Sequence, residues 1–446
     1  MRGEASTIRK SNGTGRLLAP SIKQKHEIPP SSPPPQVFDD KVYDMNERRL
    51  ADILERALEA GITGETPNSN FIPELRCMDD DIQDELLGFL AIGHDLDCFD
   101  GKMFNLGYGG SVRVSHQLLA IHLLHRARNV GANQTSRELA RFLELDHTPA
   151  YAILGIRGLE LAEEVQITDD IRLVPYESAP ESLSKSMADQ AAGASEGVLM
   201  APHLARSLRP RVALIMNIRI SPKTHDVAKS QACPDCMDTL RRIRLLLTLV
   251  GRSTPVPSCC WVDLHEWVPC RDFLSSGVSG ALMATEPLSL HEMTHGDCSD
   301  ASTLVKQFLK LNPTDQTVLS TCLDRLNRSK RASNNIDKAI DLGIAMEVLL
   351  LHDRSEHDQI SFTFRLRGAW LLADSGEERI EIERILSRIY TCRSQAVHAG
   401  KCKSPSKKMS LSSLLEQGQD LCAEAVRAIL HKGGFPNWNK LILDAS

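Results

Sequence analysis

Hydrophobic periodicity becomes purely helical near Ser302, and that change limits the folds open to this chain. Upstream, residues 151–156, 165–168, 171–174, 211–220 and 260–268 are short β-branched runs separated by turn residues, the texture of strands. They sit among helical patterns: a stripe of Leu50, Ile53, Leu54 and Ala57, then residues 114–128, 136–145 and a basic segment at 239–250. Downstream, every apolar stripe steps by three and four, over residues 314–330, 335–352, 360–373, 377–398 and a last helix opened by Ser413-Leu414-Leu415-Glu416. Ser375-Gly376-Glu377-Glu378 fits a capping box, and Gly433-Gly434 with Pro436 beyond is a stop signal. The expected fold is an α+β N-terminal region over 46–290, with room for two subdomains, followed by an all-α helical bundle over 302–440. Residues 1–43, ending in a run of prolines and serines, have too little apolar surface to offset ordering entropy and read as a disordered tail.

Bulk properties narrow the function. With 446 residues the chain can bury two or three cores. A net charge of -6 gives no global footprint of a DNA-coating protein, and 4% aromatics argues against an extended stacking platform for single strands. Any nucleic-acid site must be a local patch. No apolar run approaches a membrane span, and the polar N-terminus lacks a secretory leader. Twelve irregularly spaced cysteines in a chain this long point to a reduced, cytoplasmic protein with no membrane partner.

Two polar residues interrupt the helical stripes. The stripe of Ile382, Ile385, Leu386, Ile389, Ala396 and Val397 lands on Arg393, and that of Ile336, Ile340, Ile344 and Leu351 includes Glu347. A buried charge persists only when matched, so the two form a candidate pair across the bundle, with Arg365 and Arg367 competing for Glu347. His398 follows Arg393 by five residues, about 140° further round an ideal helix. Only a frayed or turning helix end brings both onto one ligand, and Ala399-Gly400 supplies such an end. Arginine holds a phosphate through a planar fork and histidine moves a proton near neutral pH, which together suffice to cleave RNA without a metal. The pattern by itself is unspecific: among 15 histidines about one R-x4-H match arises by chance. Lys401, Lys403, Lys407 and Lys408 follow as a local phosphate-gathering, RNA-binding patch.

The blocks 335–350, Phe364-Arg365-Leu366-Arg367-Gly368-Ala369-Trp370, 389–400 and Gly433-Gly434-Phe435-Pro436-Asn437-Trp438 occur in the order seen in the Apea-like HEPN domain, which residues 310–440 resemble. Residues 154–160 through 171–175 are similar to the region that often precedes that domain. The resemblance implies a helical bundle that forms a homodimer, bringing two R-x4-6-H motifs into one cleft. It implies a metal-independent endoribonuclease, of the kind found in toxin–antitoxin and antiviral systems, leaving 2′,3′-cyclic phosphate and 5′-hydroxyl ends. Carried onto this chain, His398 is the general acid or base and Arg393 holds the scissile phosphate. Ser394 stands where many members have an amide or carboxylate side chain. Some members only bind RNA or nucleotides, or only dimerise, and that is the alternative reading. No cofactor or metal is expected, and residues 46–290 are expected to dock a regulatory partner.

Two motifs point elsewhere. His291-Glu292-Met293-Thr294-His295 matches the zinc-protease H-E-x-x-H and carries the least favoured reading, a zinc hydrolase. That chemistry needs both histidines on one helical face, while Pro287 and Gly296 crowd the segment. Cys233-Pro234-Asp235-Cys236 has no matching second pair, and no Walker-type glycine loop is present.

Overall fold

A computed structural model describes residues 44–64, 76–92, 96, 99, 101–107, 110–198, 209–226, 234–274, 276–280, 290–353, 359–402 and 409–443. The expected tail at 1–43 lies outside them. Helix α1 (Asp44–Ala60) buries the expected stripe of Leu50, Ile53, Leu54 and Ala57. A short antiparallel pair, β1 (Ile62–Thr63) and β2 (Arg76–Cys77), leads to α2 (Asp80–Ile92), which the sequence reading missed. The hairpin β3 (Met103–Gly107) and β4 (Gly110–Arg113) precedes α3 (His116–Val130) and α4 (Ala132–Glu144). Gly131 separates the last two at φ 90°, a backbone conformation that favours glycine.

Next comes the sheet. Its strands are β5 (Thr148–Arg157), β7 (Val165–Gln166), β8 (Ile171–Pro175), β9 (Val212–Ile220) and β11 (Val256–Leu264), antiparallel in the order β11-β5-β9-β8-β7. The two-residue strands β6 (Leu159–Glu160) and β10 (Thr224–His225) pair elsewhere. Because β5 is an interior strand covered on both faces, Ala152, Ile153, Leu154 and Ile156 are all buried, which is why its sequence reads as a continuous apolar run. Helix α5 (Leu183–Val198) contacts β11, and near its start Ala188 joins a small cluster with Ile153, Tyr176, Ile215, Cys259 and Trp261. Helix α6 (Pro234–Leu246) packs against β5, β9 and β11 through the main core, with Met237, Leu240 and Ile243 buried.

After the short strand β12 (His291–Glu292) the described chain is helical: α7 (His295–Leu309), α8 (Pro313–Arg331), α9 (Asn335–Leu351), α10 (Ile360–Leu372), α11 (Gly376–Ala399), α12 (Leu411–Lys432) and α13 (Trp438–Leu443). An α+β region followed by helices is therefore what the chain forms. Local capping differs in detail from the sequence reading. Ser375 accepts from the Glu378 amide at 3.2 Å, one half of the expected box, and the reciprocal box is instead at Thr294 and Asp297. Ser410, three residues before the expected Ser413, caps α12, while Gly433 ends it at φ 75° as anticipated.

One apolar core runs from Leu50 through Trp438 without a break at the junction near residue 302. Polar ties reinforce that junction. Asn327 Nδ2 donates to Thr248 Oγ1 at 3.0 Å, Lys330 Nζ to the Thr248 carbonyl at 2.8 Å, and Arg427 to the Leu249 carbonyl at 2.6 Å. Among the described residues, no helix is long and apolar enough to cross a membrane.

Candidate functional site

Helix α11 is held in a trough of glycines. Its inward stripe of Leu386, Ile389 and Arg393 meets Gly368 of α10, Gly418 of α12 and Gly343 of α9 in turn. A methyl group added at those glycines would lie 2.4 Å from Leu386 Cδ1, 2.5 Å from Ile389 Cδ1 and 2.3 Å from Arg393 Cγ. Mid-helix glycine costs about 1 kcal/mol relative to alanine, so three of them facing one helix are retained by close approach. Burial of Leu386 and Ile389, both fully enclosed, returns about 2–3 kcal/mol each.

Gly343 and Glu347 lie one turn apart on α9 and share a face. The Arg393 stem crosses the backbone at Gly343 and its Nη2 donates to Glu347 Oε2 at 3.0 Å. Both side chains are partly exposed, 27% for Arg393 and 22% for Glu347. Burial raises the Glu347 carboxyl above its ordinary range, and the attraction of Arg393 only partly offsets this. Arg393 Nε is buried with no acceptor, so the guanidinium fork retains an unsatisfied donor.

The competing arginines are engaged elsewhere. Arg365 hydrogen-bonds Glu383. Arg367 donates to Asp353 Oδ1 at 2.5 Å and to the Leu350 carbonyl at 2.8 Å, and its guanidinium lies 4.8 Å from the centre of the Trp438 ring. Phe435 packs on His352, with ring centres 4.1 Å apart. The tail that contributed to the family resemblance thus packs on His352 at the end of α9 and on Arg367 of α10, apart from the Arg393–Glu347 pair.

His398 is placed differently from the sequence expectation. Helix α11 remains helical through Ala399, and Gly400 caps it at φ 59° with its N–H donating to the Ala396 carbonyl. The turn therefore comes after His398, and no frayed end swings the imidazole back toward Arg393. His398 is exposed, on the solvent stripe with Glu381, Arg384, Arg388 and Thr391, about 140° round the helix from Arg393. Within one chain the structure brings Arg393 and Glu347 together but leaves His398 apart. Ser394 is half-buried beside Arg393, and Val397, one turn on from Arg393, is 49% exposed. Lys401 is exposed just past the cap; Lys403, Lys407 and Lys408 lie outside the described residues.

The zinc-protease motif does not form its required helix. His291 and Glu292 pair with Leu159 and Glu160 as a parallel strand, Thr294 is an N-cap, and His295 begins α7. His291 Nε2 lies 3.2 Å from Asp297 Oδ2, and no cluster of metal-ligating side chains occurs among the described residues. Sequence reasoning missed Gly343, although a lone glycine inside an otherwise apolar helix is the signal of a close crossing. No family model, curated protein or solved structure matches the chain.

Proposed function

We propose that the chain is a metal-independent endoribonuclease of the HEPN type, acting in the cytoplasm as a homodimer and serving as a defence or toxin effector. The observation that carries this reading is the Arg393 guanidinium, positioned across Gly343, held by Glu347 on one edge and left with an unsatisfied Nε. A phosphate oxygen is the acceptor such a fork fits. His398 removes the ribose 2′-hydroxyl proton or protonates the leaving 5′-oxygen, while Arg393 stabilises charge developing on the phosphate. The products are a 2′,3′-cyclic phosphate and a 5′-hydroxyl end. Because one regular helix separates the two side chains by about 140°, a working site takes Arg393 from one copy and His398 from the other. Lys401, with Lys403, Lys407 and Lys408, gathers the RNA strand, and the α+β region docks the regulatory partner.

The test uses purified protein, RNA and EDTA. Wild type is expected to produce cyclic-phosphate ends, with Arg393→Ala and His398→Ala slower by about 10²–10⁴-fold. Equal cleavage by all three proteins would assign the activity to a contaminant. The hydrogen bond that ties Arg393 to Glu347 favours a second reading, in which the same helices only bind RNA or nucleotides, or only dimerise. RNA binding that survives His398→Ala, with no cyclic product from wild type, selects it.

A further inference from the structure

A second cationic site lies where α6 meets α8, apart from the candidate nuclease residues. Each helix carries two arginines three residues apart in its C-terminal half, Arg241 and Arg244 on α6, Arg328 and Arg331 on α8, a spacing that puts each pair on one face. Arg244 is 92% buried: its exposure is only 8%. Its Nη1 donates to the Pro255 carbonyl at 2.8 Å, while Nε is buried without a partner. Asn327 joins Arg331 to the same carbonyl: its Nδ2 donates to Pro255 at 3.2 Å and its Oδ1 accepts from Arg331 Nε at 2.9 Å. Arg241 and Arg328 lean on Asp238 and Asp324, each at 2.9 Å, and remain 45% and 50% exposed.

Four guanidiniums thus converge with two carboxylates among them, in a chain whose net charge is -6. Cations in a last turn favour the helix dipole, which accounts for arginines along each helix but not for the two helices meeting around a buried one. Burial lowers the Arg244 guanidinium to about 10; Asp324 acts against this, and Arg331, Arg241 and Arg328 add to it. Such crowding is costly unless an anion completes it.

We propose that these two arginine pairs form a binding site for a phosphate group, carried either by a free nucleotide or by an RNA backbone. Arginine forks match phosphate oxygens in pairs, and the unsatisfied Arg244 Nε is the donor the ligand completes.

The experiment compares melting of the full chain in potassium phosphate and in potassium chloride at equal ionic strength. Wild type is expected to melt roughly 2–4 °C higher in phosphate, and Arg328→Gln with Arg331→Gln to lose that rise. Arg328→Gln alone, altering a half-exposed side chain, is expected to lose at least about half of it and serves if the double variant does not fold. In an Arg393→Ala background, Arg328→Gln with Arg331→Gln should still diminish the rise, which separates this site from the proposed nuclease centre. No difference between the salts for wild type, or an undiminished rise in the variants, overturns the proposal. Fluorescence polarisation of a labelled oligoribonucleotide identifies the source. Binding weakened in the double variant and displaced by phosphate assigns an RNA strand; binding unchanged in the variant, with the melting shift lost, assigns a free nucleotide.

Discussion

Gly343 decides where Arg393 can be. An alanine methyl there would overlap the arginine stem, so Gly343→Ala should displace the guanidinium from Glu347 and cost about 1–3 kcal/mol. Urea denaturation reads the cost, and the RNA assay should show a loss matching that of Arg393→Ala; unaltered stability and cleavage would mean that the stem repacks freely. Two other residues set the acid response. Burial lowers both His122 and His265 from 6.5 to about 4. An unfolded chain takes up those protons near 6.5 and the folded chain only near 4, so their stabilisation is complete above 6.5 and drains away below it. Asp263, which burial raises from 3.8 to about 6, acts oppositely, its cost being relieved as pH falls from 6 to 3.8. The two histidines against Asp263 predict a net loss on the order of 2 kcal/mol between pH 7 and pH 5, which Glu347, likewise raised by burial, makes smaller. A urea midpoint that is flat or rises over that interval contradicts the assignment.

The elements were largely legible because their signals are local. The Leu50, Ile53, Leu54 and Ala57 stripe is buried as expected, and the run at 151–156 read as a strand lies within β5, an interior strand of the sheet. The Arg393–Glu347 pair followed from two charged residues on apolar stripes. The course of α11 past His398 was not legible, because Ala399-Gly400 marks a stop without saying whether the preceding turn unwinds. Nor could stripes alone say which arginine takes Glu347, since that depends on helix crossings set by Gly343, Gly368 and Gly418. The packing of the tail yields its own prediction. Trp438 is 5% exposed and lies against Arg367, so Trp438→Ala should destabilise by about 3–5 kcal/mol. A change below about 1 kcal/mol in the denaturation midpoint would show that the tail is dispensable.

At the scale of the described molecule, the sheet region and the helical array share one core and a set of polar ties through Thr248, Asn327, Lys330 and Arg427. They should unfold together. Tryptophan fluorescence, reporting Trp261 and Trp267 in the sheet region and Trp370 and Trp438 among the helices, should give the same urea midpoint as far-ultraviolet circular dichroism. Two resolved transitions would mean that the ties do not couple the regions. The proposed nuclease site asks more, because each copy holds its arginine inward and its histidine on the solvent stripe. Mixing inactive Arg393→Ala and His398→Ala chains, with unfolding and refolding to exchange subunits, tests this most directly. RNA cleavage in EDTA should return to about a quarter of wild type, since half of the dimers then carry one intact site of two. A mixture as inactive as its two components contradicts a site built from both copies.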